Sequence, residues 1–282
     1  MIERGWKAQW LPHAALILGV LLVALPLFVT LSASTHRTQD ILQVPMPLMP
    51  GEHLVENYTR AFSTGPLSGN TGPVWRMMLN SLVMALGIAL GKILISLLSA
   101  FAIVYFRFPL RQVFFWMIFV TLMLPVEVRI IPTYKVVSDL GMLDSYAGLI
   151  FPLIASATAT FLFRQFFLTI PDEIFQAARI DGAGPFRFFT DILIPLSRNN
   201  IAALFVILFI YGWNQYLWPL IITTNESMYT ILIGINRMLA VADDQADWPV
   251  IMATSVLAMV PPVLVVIFMQ HYFVKGLTET EK

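Results

Sequence analysis

Residues 77–106 read MMLNSLVMALGIALGKILISLLSAFAIVYF, a run interrupted by a single charge, Lys92. An α-helix rises 1.5 Å per residue, so about 20 apolar residues cross the ~30 Å hydrocarbon core of a bilayer. Lipid offers no partner to a backbone N–H or C=O, so only helices and closed barrels span it, and this run is too long for a barrel strand. The stretch therefore reads as a transmembrane helix. Composition extends that reading to the whole chain of 282 residues, of which 58% are hydrophobic and 12% charged, against about 25% charged in a soluble domain. The mean hydropathy is +0.76. Too little charge is present for a water-covered surface, which excludes a soluble enzyme and a disordered tail. Seventeen basic residues are balanced by seventeen acidic ones, leaving no net field to hold a nucleic acid. There is no cysteine, hence no disulfide or thiolate chemistry. His13, His36, His53 and His271 are scattered without ligand spacing, so neither a metal site nor a catalytic site is expected.

Five further apolar stretches predict an all-α, polytopic membrane protein of six transmembrane helices in a single transmembrane domain. The spans fall at about 11–33, 77–106, 111–131, 145–167, 199–224 and 249–273. Arg4 and Lys7 precede the first as in a secretory signal, but its apolar run exceeds the roughly 7–15 residues of a signal core, so a retained helix is expected. With both termini cytoplasmic, inner segments hold ten Lys/Arg and outer ones six, the positive-inside distribution. The outer segment Thr35–Trp75, punctuated by Pro45, Pro47, Pro50, Pro66 and Pro73, predicts an extended loop with little helix. The acidic cluster Asp243, Asp244 and Asp247 reads as a solvated loop.

Between the fourth and fifth spans, about residues 168–198, lies a cytoplasmic segment longer than a connector requires. Its core reads PDEIFQAARIDGAGPFRFFTDILIP from Pro171 to Pro195. Pro171, Asp172 and Glu173 suit a helix start, Gly182 a stop, Pro185 a restart and Pro195 an end. This predicts a hairpin of two short helices. Ile174, Phe175 and Ala178 line one apolar face, Phe186, Phe189 and Ile192 the other, and such faces outside the bilayer require something to pack against.

The run Gln176-Ala177-Ala178-x-x-Asp181-Gly182-Ala183, with Ile194-Pro195 further on, resembles the EAA loop of bacterial ABC importer permeases. The resemblance implies the type I importer permease fold, with Gln176, Ala177, Ala178, Asp181, Gly182 and Ala183 coupling to an ATPase. Gln176 stands where the family has Glu. Asn80-Ser81, Ser99-Ala-Phe-Ala102 and Trp213-Asn-Gln-Tyr-Leu-Trp-Pro-Leu220 are similar to the carbohydrate-uptake group of that family. Phe115–Arg129 and Ala155–Phe167 resemble more closely the second permease subunits of sn-glycerol-3-phosphate importers. The implied function is an inner-membrane permease passing sn-glycerol-3-phosphate or related glycerophosphodiesters by alternating access. The alternative within the class is a neutral sugar or oligosaccharide. The implied partners are a homologous second permease subunit, two copies of an ABC ATPase subunit and an extracytoplasmic substrate-binding protein. No G-x-x-x-x-G-K-[ST] loop is present, so ATP is expected on the partner and no cofactor on this chain. A rival of another class is a secondary transporter without an ATPase. Ion coupling would require intramembrane carboxylates, and Glu127, near a span end, is the one candidate.

Five residues are candidates for the substrate path. Lys92 lies about 20 Å along its helix from Tyr105, and a cation at that depth costs roughly 2.5–3.5 kcal/mol on insertion scales, which calls for a partner or a wet cavity. Trp213, Asn214, Gln215 and Tyr216 form a polar and aromatic turn in the middle of the fifth span, suited either to bonding a partner subunit or to lining the path. Glu127 and Arg129, two apart on a helix, point about 200° from each other and cannot pair. They read as either the outer mouth or the end of a span. Pro152, and Pro261 with Pro262, are expected to break their helices.

Overall fold

The computed structural model describes residues 10–63, 72–121, 126–240 and 246–278, and among them all regular structure is helical. In chain order the α-helices are α1 (Trp10–Ala33), α2 (Thr38–Ile41), α3 (Leu54–Ser63), α4 (Val74–Tyr105), α5 (Arg111–Val120) and α6 (Val126–Asp139). There follow α7 (Tyr146–Ile150), α8 (Ala157–Thr169), α9 (Asp172–Ile180), α10 (Pro185–Phe188) and α11 (Ile194–Leu196). The last four are α12 (Arg198–Trp213), α13 (Leu217–Ile222), α14 (Ile231–Leu239) and α15 (Trp248–Thr278). Arg4, Lys7, Pro66, Asp243, Asp244 and the side chain of Glu127 lie outside the described residues. Two compact units form, one from residues 1–76 and 234–259, the other from 77–233 and 260–282.

In the first unit the segment after α1 is held by its polar groups. Ser32 Oγ donates to the Leu48 carbonyl (2.9 Å), and the Thr35 hydroxyl accepts from Gly51 N–H (2.6 Å). Asn57 Nδ2 donates to the carbonyls of Ser34 (3.0 Å) and His36 (2.9 Å). Asn57 and Ala61, four apart on α3, are the buried positions of that helix. The extended loop expected over 35–75 thus contains a ten-residue helix. Its segment, between Pro50 and Pro66, has no proline and one buried stripe at i, i+4, a pattern that punctuation by proline does not reveal. Arg60 pairs with Asp247, so one member of the acidic cluster is a structural ion partner.

The second unit is built on α4. Its core joins Met84 and Ile88 of α4, Ile130 and Val137 of α6, Leu149 and Leu153, and Trp218 and Ile222 of α13. Lipid tails are as apolar as leucine, so helices in a bilayer approach through small residues and polar bonds instead. Both devices are present. A Cβ on Gly212 of α12 would lie 2.9 Å from Ala85 Cα of α4, and one on Gly87 would lie 2.6 Å from Ile150. Asn80 Oδ1 accepts from the Tyr146 hydroxyl (2.6 Å), while Nδ2 donates to the carbonyls of Ser227 (2.8 Å) and Tyr229 (2.9 Å). Ser81 Oγ accepts from Ile231 N–H (2.8 Å).

Among the described residues three helices are long and apolar enough to cross a membrane: Pro12–Ala33, Val74–Tyr105 and Trp248–His271. Two bent pairs, Tyr146–Leu153 with Ala157–Thr169 (49°) and Pro185–Leu196 with Arg198–Trp213 (73°), raise the number to five. The stretch expected as one span over 145–167 bends at 154–156, just after a 3-10 turn over Phe151–Leu153 that holds Pro152, and Ser156 then caps α8. The stretch over 199–224 is two helices, α12 and α13, separated at 214–216. Over 111–131 the helix α5 covers ten residues, and residues 122–125 lie outside the described set. Pro261 and Pro262 do not break α15, which runs through them. Helix-breaking prolines are tolerated in transmembrane helices because neighbouring helices and local backbone adjustments satisfy the groups they free.

Candidate functional site

Two places collect the residues singled out in the sequence. The first is the hairpin. Helix α9 ends with Asp181 as C-cap and Gly182 at φ +75°. Ala183 N–H bonds the Ala178 carbonyl (2.9 Å) and Gly182 N–H the Arg179 carbonyl (3.1 Å), the two bonds of a Schellman motif. Pro185 opens α10 behind Gly184. A π-helical stretch, Phe189–Leu193, then leads into α11, where Pro195 lacks the N–H that would bond the Asp191 carbonyl.

The hairpin packs first against its own chain. Phe175 and Phe188 lie 5.0 Å apart and sit 5.3 and 5.1 Å from Tyr105, while Phe189 lies 4.9 Å from Phe101. Tilted and edge-to-face rings at such spacings add about 0.5–1.5 kcal/mol per pair beyond area burial. Ala178 is 6% exposed and turned into this side. Gln176, Ala177, Asp181 and Gly182 face outward and Ala183 is half-buried. Ile180 (85% exposed) and Phe186 (79% exposed) stand beside them. The coupling set read from the sequence thus divides, with Ala178 inside and four members on an outward surface that also carries two large apolar side chains.

The second place is a cavity of about 500 Å³ in the second unit, where Lys92 of α4, Arg129 of α6, Tyr211 of α12 and a string of small residues from Ala155 to Thr160 meet. Lys92 is 7% exposed, and its ammonium lies 3.8 Å from the centroid of the Tyr211 ring. A ring face attracts a cation by about 0.5–2 kcal/mol, more when water is excluded. Among the described lining residues there is no carboxylate. Ser99, Thr121, Thr158 and Thr160 add hydroxyls to the wall. Ser96, behind it, accepts from Thr160 Oγ1 (3.2 Å) and donates to the Ser156 carbonyl (3.3 Å), which fixes the bent segment at 154–156 against α4.

Of the five path candidates, Lys92 alone borders this cavity. Trp213 is buried, Asn214 is exposed at the break after α12, and Gln215 donates back to the Tyr211 carbonyl (3.1 Å). Tyr211 and Arg129 are the residues that sequence reasoning did not bring to Lys92. Arg129 carried a signal, a cation near a span, but Tyr211 carried none beyond its lying in a transmembrane run.

With this geometry in view, the comparisons with known proteins agree. Residues 92–279 match the family model described as binding-protein-dependent transport system inner membrane component. The sn-glycerol-3-phosphate transport system permease protein UgpE of Agrobacterium fabrum is 60% identical over all of both chains. Its namesake from Escherichia coli O1:K1 is 58% identical, again over the full length of each. The crystal structure of a bacterial ABC transporter involved in the import of the acidic polysaccharide alginate superposes with a TM-score of 0.82, covering 97% of this chain and 99% of that one at 21% identity. That likeness speaks for the fold. An all-helical membrane chain with a capped helical hairpin of this kind, matched over its whole length by permeases, is a transport component and no enzyme: it belongs to the binding-protein-dependent transport system inner membrane components, the permeases of ABC importers.

Proposed function

We propose that this chain is the permease subunit through which sn-glycerol-3-phosphate, or a closely related glycerophosphodiester, crosses the inner membrane. The observation that carries the substrate class is the cavity holding Lys92 and Arg129 and, among the described lining residues, no carboxylate. Moving a phosphate ester out of water is costly unless cations and donors replace its hydration, and a neutral sugar would leave both cations uncompensated. The names of the full-length relatives support the same class.

In this reading a second permease chain completes the path, two ATPase copies supply the energy, and a binding protein delivers substrate on the outer side. Both termini face the cytoplasm, and the segment 168–198 receives the ATPase. The docking surface is the outward one, Gln176, Ala177, Asp181 and Gly182 with Ile180 and Phe186, while Ala178 shapes the hairpin from within. Expressing this chain with its cognate partners in cells lacking their own importer tests the proposal. Uptake of labelled sn-glycerol-3-phosphate should require the ATPase and the binding protein and should disappear in Phe186→Asp. Uptake of a neutral disaccharide in place of the phosphate ester would refute the substrate class. Uptake that survives loss of the ATPase would refute the coupling.

A further inference from the structure

We propose that Lys92 and Arg129 form a two-cation subsite within this chain that favours doubly charged phosphate monoesters over singly charged diesters during passage. The inference rests on the substrate class proposed above and names how that cavity selects within it. Lys92 is buried at mid-length of α4 and Arg129 opens from α6, and both border the same cavity. The partner that steadies Lys92 is the ring of Tyr211. A ring stabilises an ammonium without cancelling its charge, whereas a carboxylate would neutralise it. Two like charges facing one cavity repel each other until an anion enters.

Among the described lining residues, the remaining walls add nothing that offsets these charges. Ile118 and Thr121 come from α5 and its cap, Ala157, Thr158 and Thr160 from α8, and Ile207 and Leu208 from α12 with Tyr211; none is an acid or a histidine. The hydroxyls of Ser99 and Thr158 are neutral donors, suited to either ester. The charge count therefore discriminates. A dianion engages both cations, while a monoanion leaves one without a counter-charge, at the greater cost where that one is the buried Lys92. A phosphate monoester has a second pKa of about 6. It is mostly dianionic at pH 7.5 and monoanionic at pH 5.5, whereas a diester stays monoanionic throughout.

The test uses the complete transporter in vesicles, with uptake normalised to assembled complex. The substrates are sn-glycerol-3-phosphate and its methyl diester, measured at pH 7.5 and 5.5. Each variant is compared with wild type, so the preference of the binding protein cancels. Lys92→Gln and Arg129→Gln should each lower the monoester-to-diester ratio at pH 7.5 by about tenfold, the scale of one charged hydrogen bond. The deficit should close at pH 5.5, and Lys92→Arg should retain most of the ratio. Arg129 is exposed, so its variant reads the subsite even where Lys92→Gln assembles poorly. A ratio unchanged in both variants, or a deficit equal at the two pH values, overturns the subsite. A wild-type transporter that carries neither ester overturns the substrate class and the subsite with it.

Discussion

Gly182 and Gly184 stand two residues apart in the hairpin turn, and the same substitution at each should have different effects. A Cβ at either position would meet nothing within 4 Å, so crowding plays no part. What differs is the backbone: Gly182 has φ +75° and Gly184 φ −71°. An L-residue in the left-handed region brings its Cβ close to the following carbonyl, at about 1–2 kcal/mol. Gly182→Ala should therefore weaken the Schellman turn by about 1 kcal/mol, lowering its closed population relative to open by roughly fivefold. Gly184→Ala should be nearly neutral. There the reduced freedom of the unfolded chain, about 0.4–1 kcal/mol in favour of alanine, opposes the loss of glycine from an N-cap, which disfavours alanine. Gly182→Asn should recover part of the loss, because asparagine tolerates the left-handed region. Hydrogen exchange at the Gly182 and Ala183 amides of the purified complex reads the turn directly, and retention of the ATPase on a tagged permease reads its consequence. Equal protection in Gly182→Ala and Gly184→Ala, or a Gly182→Asn as open as Gly182→Ala, would refute the argument from backbone conformation.

Three other outcomes follow from the packing. Ala178→Leu inserts methylenes under the aromatic cluster and should cost about 1–3 kcal/mol, lowering the melting temperature of the complex. Ala177→Leu, on the outward side, should leave it within about 0.5 kcal/mol while reducing ATPase retention. Gly212→Val drives a side chain against the Ala85 backbone, so melting of the isolated permease should fall by several degrees, with little change expected for the control Gly19→Ala, where a Cβ would meet nothing within 4 Å. Asp144 is held by bonds that reach outside the membrane spans. Burial alone would raise its carboxyl, but hydrogen bonds from Asn225 N–H and from the Thr224 hydroxyl and N–H outweigh it and hold the group below the usual carboxylate value. A lowered folded-state pKa contributes stability that is complete above the unfolded value and is lost as pH falls through the folded one. Asp144 has φ +50°, which asparagine tolerates, so Asp144→Asn isolates the charge. It should cost less than about 1 kcal/mol at pH 7, discounted for exposure, and in melting curves the difference from wild type should begin to shrink below about pH 4 and vanish as pH falls through the lowered folded-state value.

Local information carried far in this chain. The apolar run of α4 and the Pro–Gly–Pro spacing of the hairpin were legible because a span and a cap depend on neighbours within a few residues. Gly182 adopts the conformation its position implied, and the stretch that holds Pro152 bends as expected. Position on a helix face was not legible. In a bilayer a lipid-facing position and a helix-facing position are both apolar, so the pattern that orients a helix in water is muted here. In the hairpin, read as lying outside the bilayer, the cause is different: the resemblance grouped Ala178 with its neighbours as a coupling set, while packing buries it and leaves Ile180 and Phe186 outside. Several of the small residues after Pro152 line a cavity, a placement that depends on helices distant in the chain.

That Lys92 is a cation at mid-span, in need of a partner or water, follows from chain order alone. That the partner is the ring of Tyr211 and the neighbour across the cavity Arg129 follows from how the helices pack. Those residues lie on three helices far apart in the chain, and no local propensity couples them. What brings them together is the close approach of α12 to α4 at Gly212 and Ala85 and the bend at 154–156 that opens space beside it. Composition states what a buried charge requires, while the direction in which helices pack states which residue supplies it.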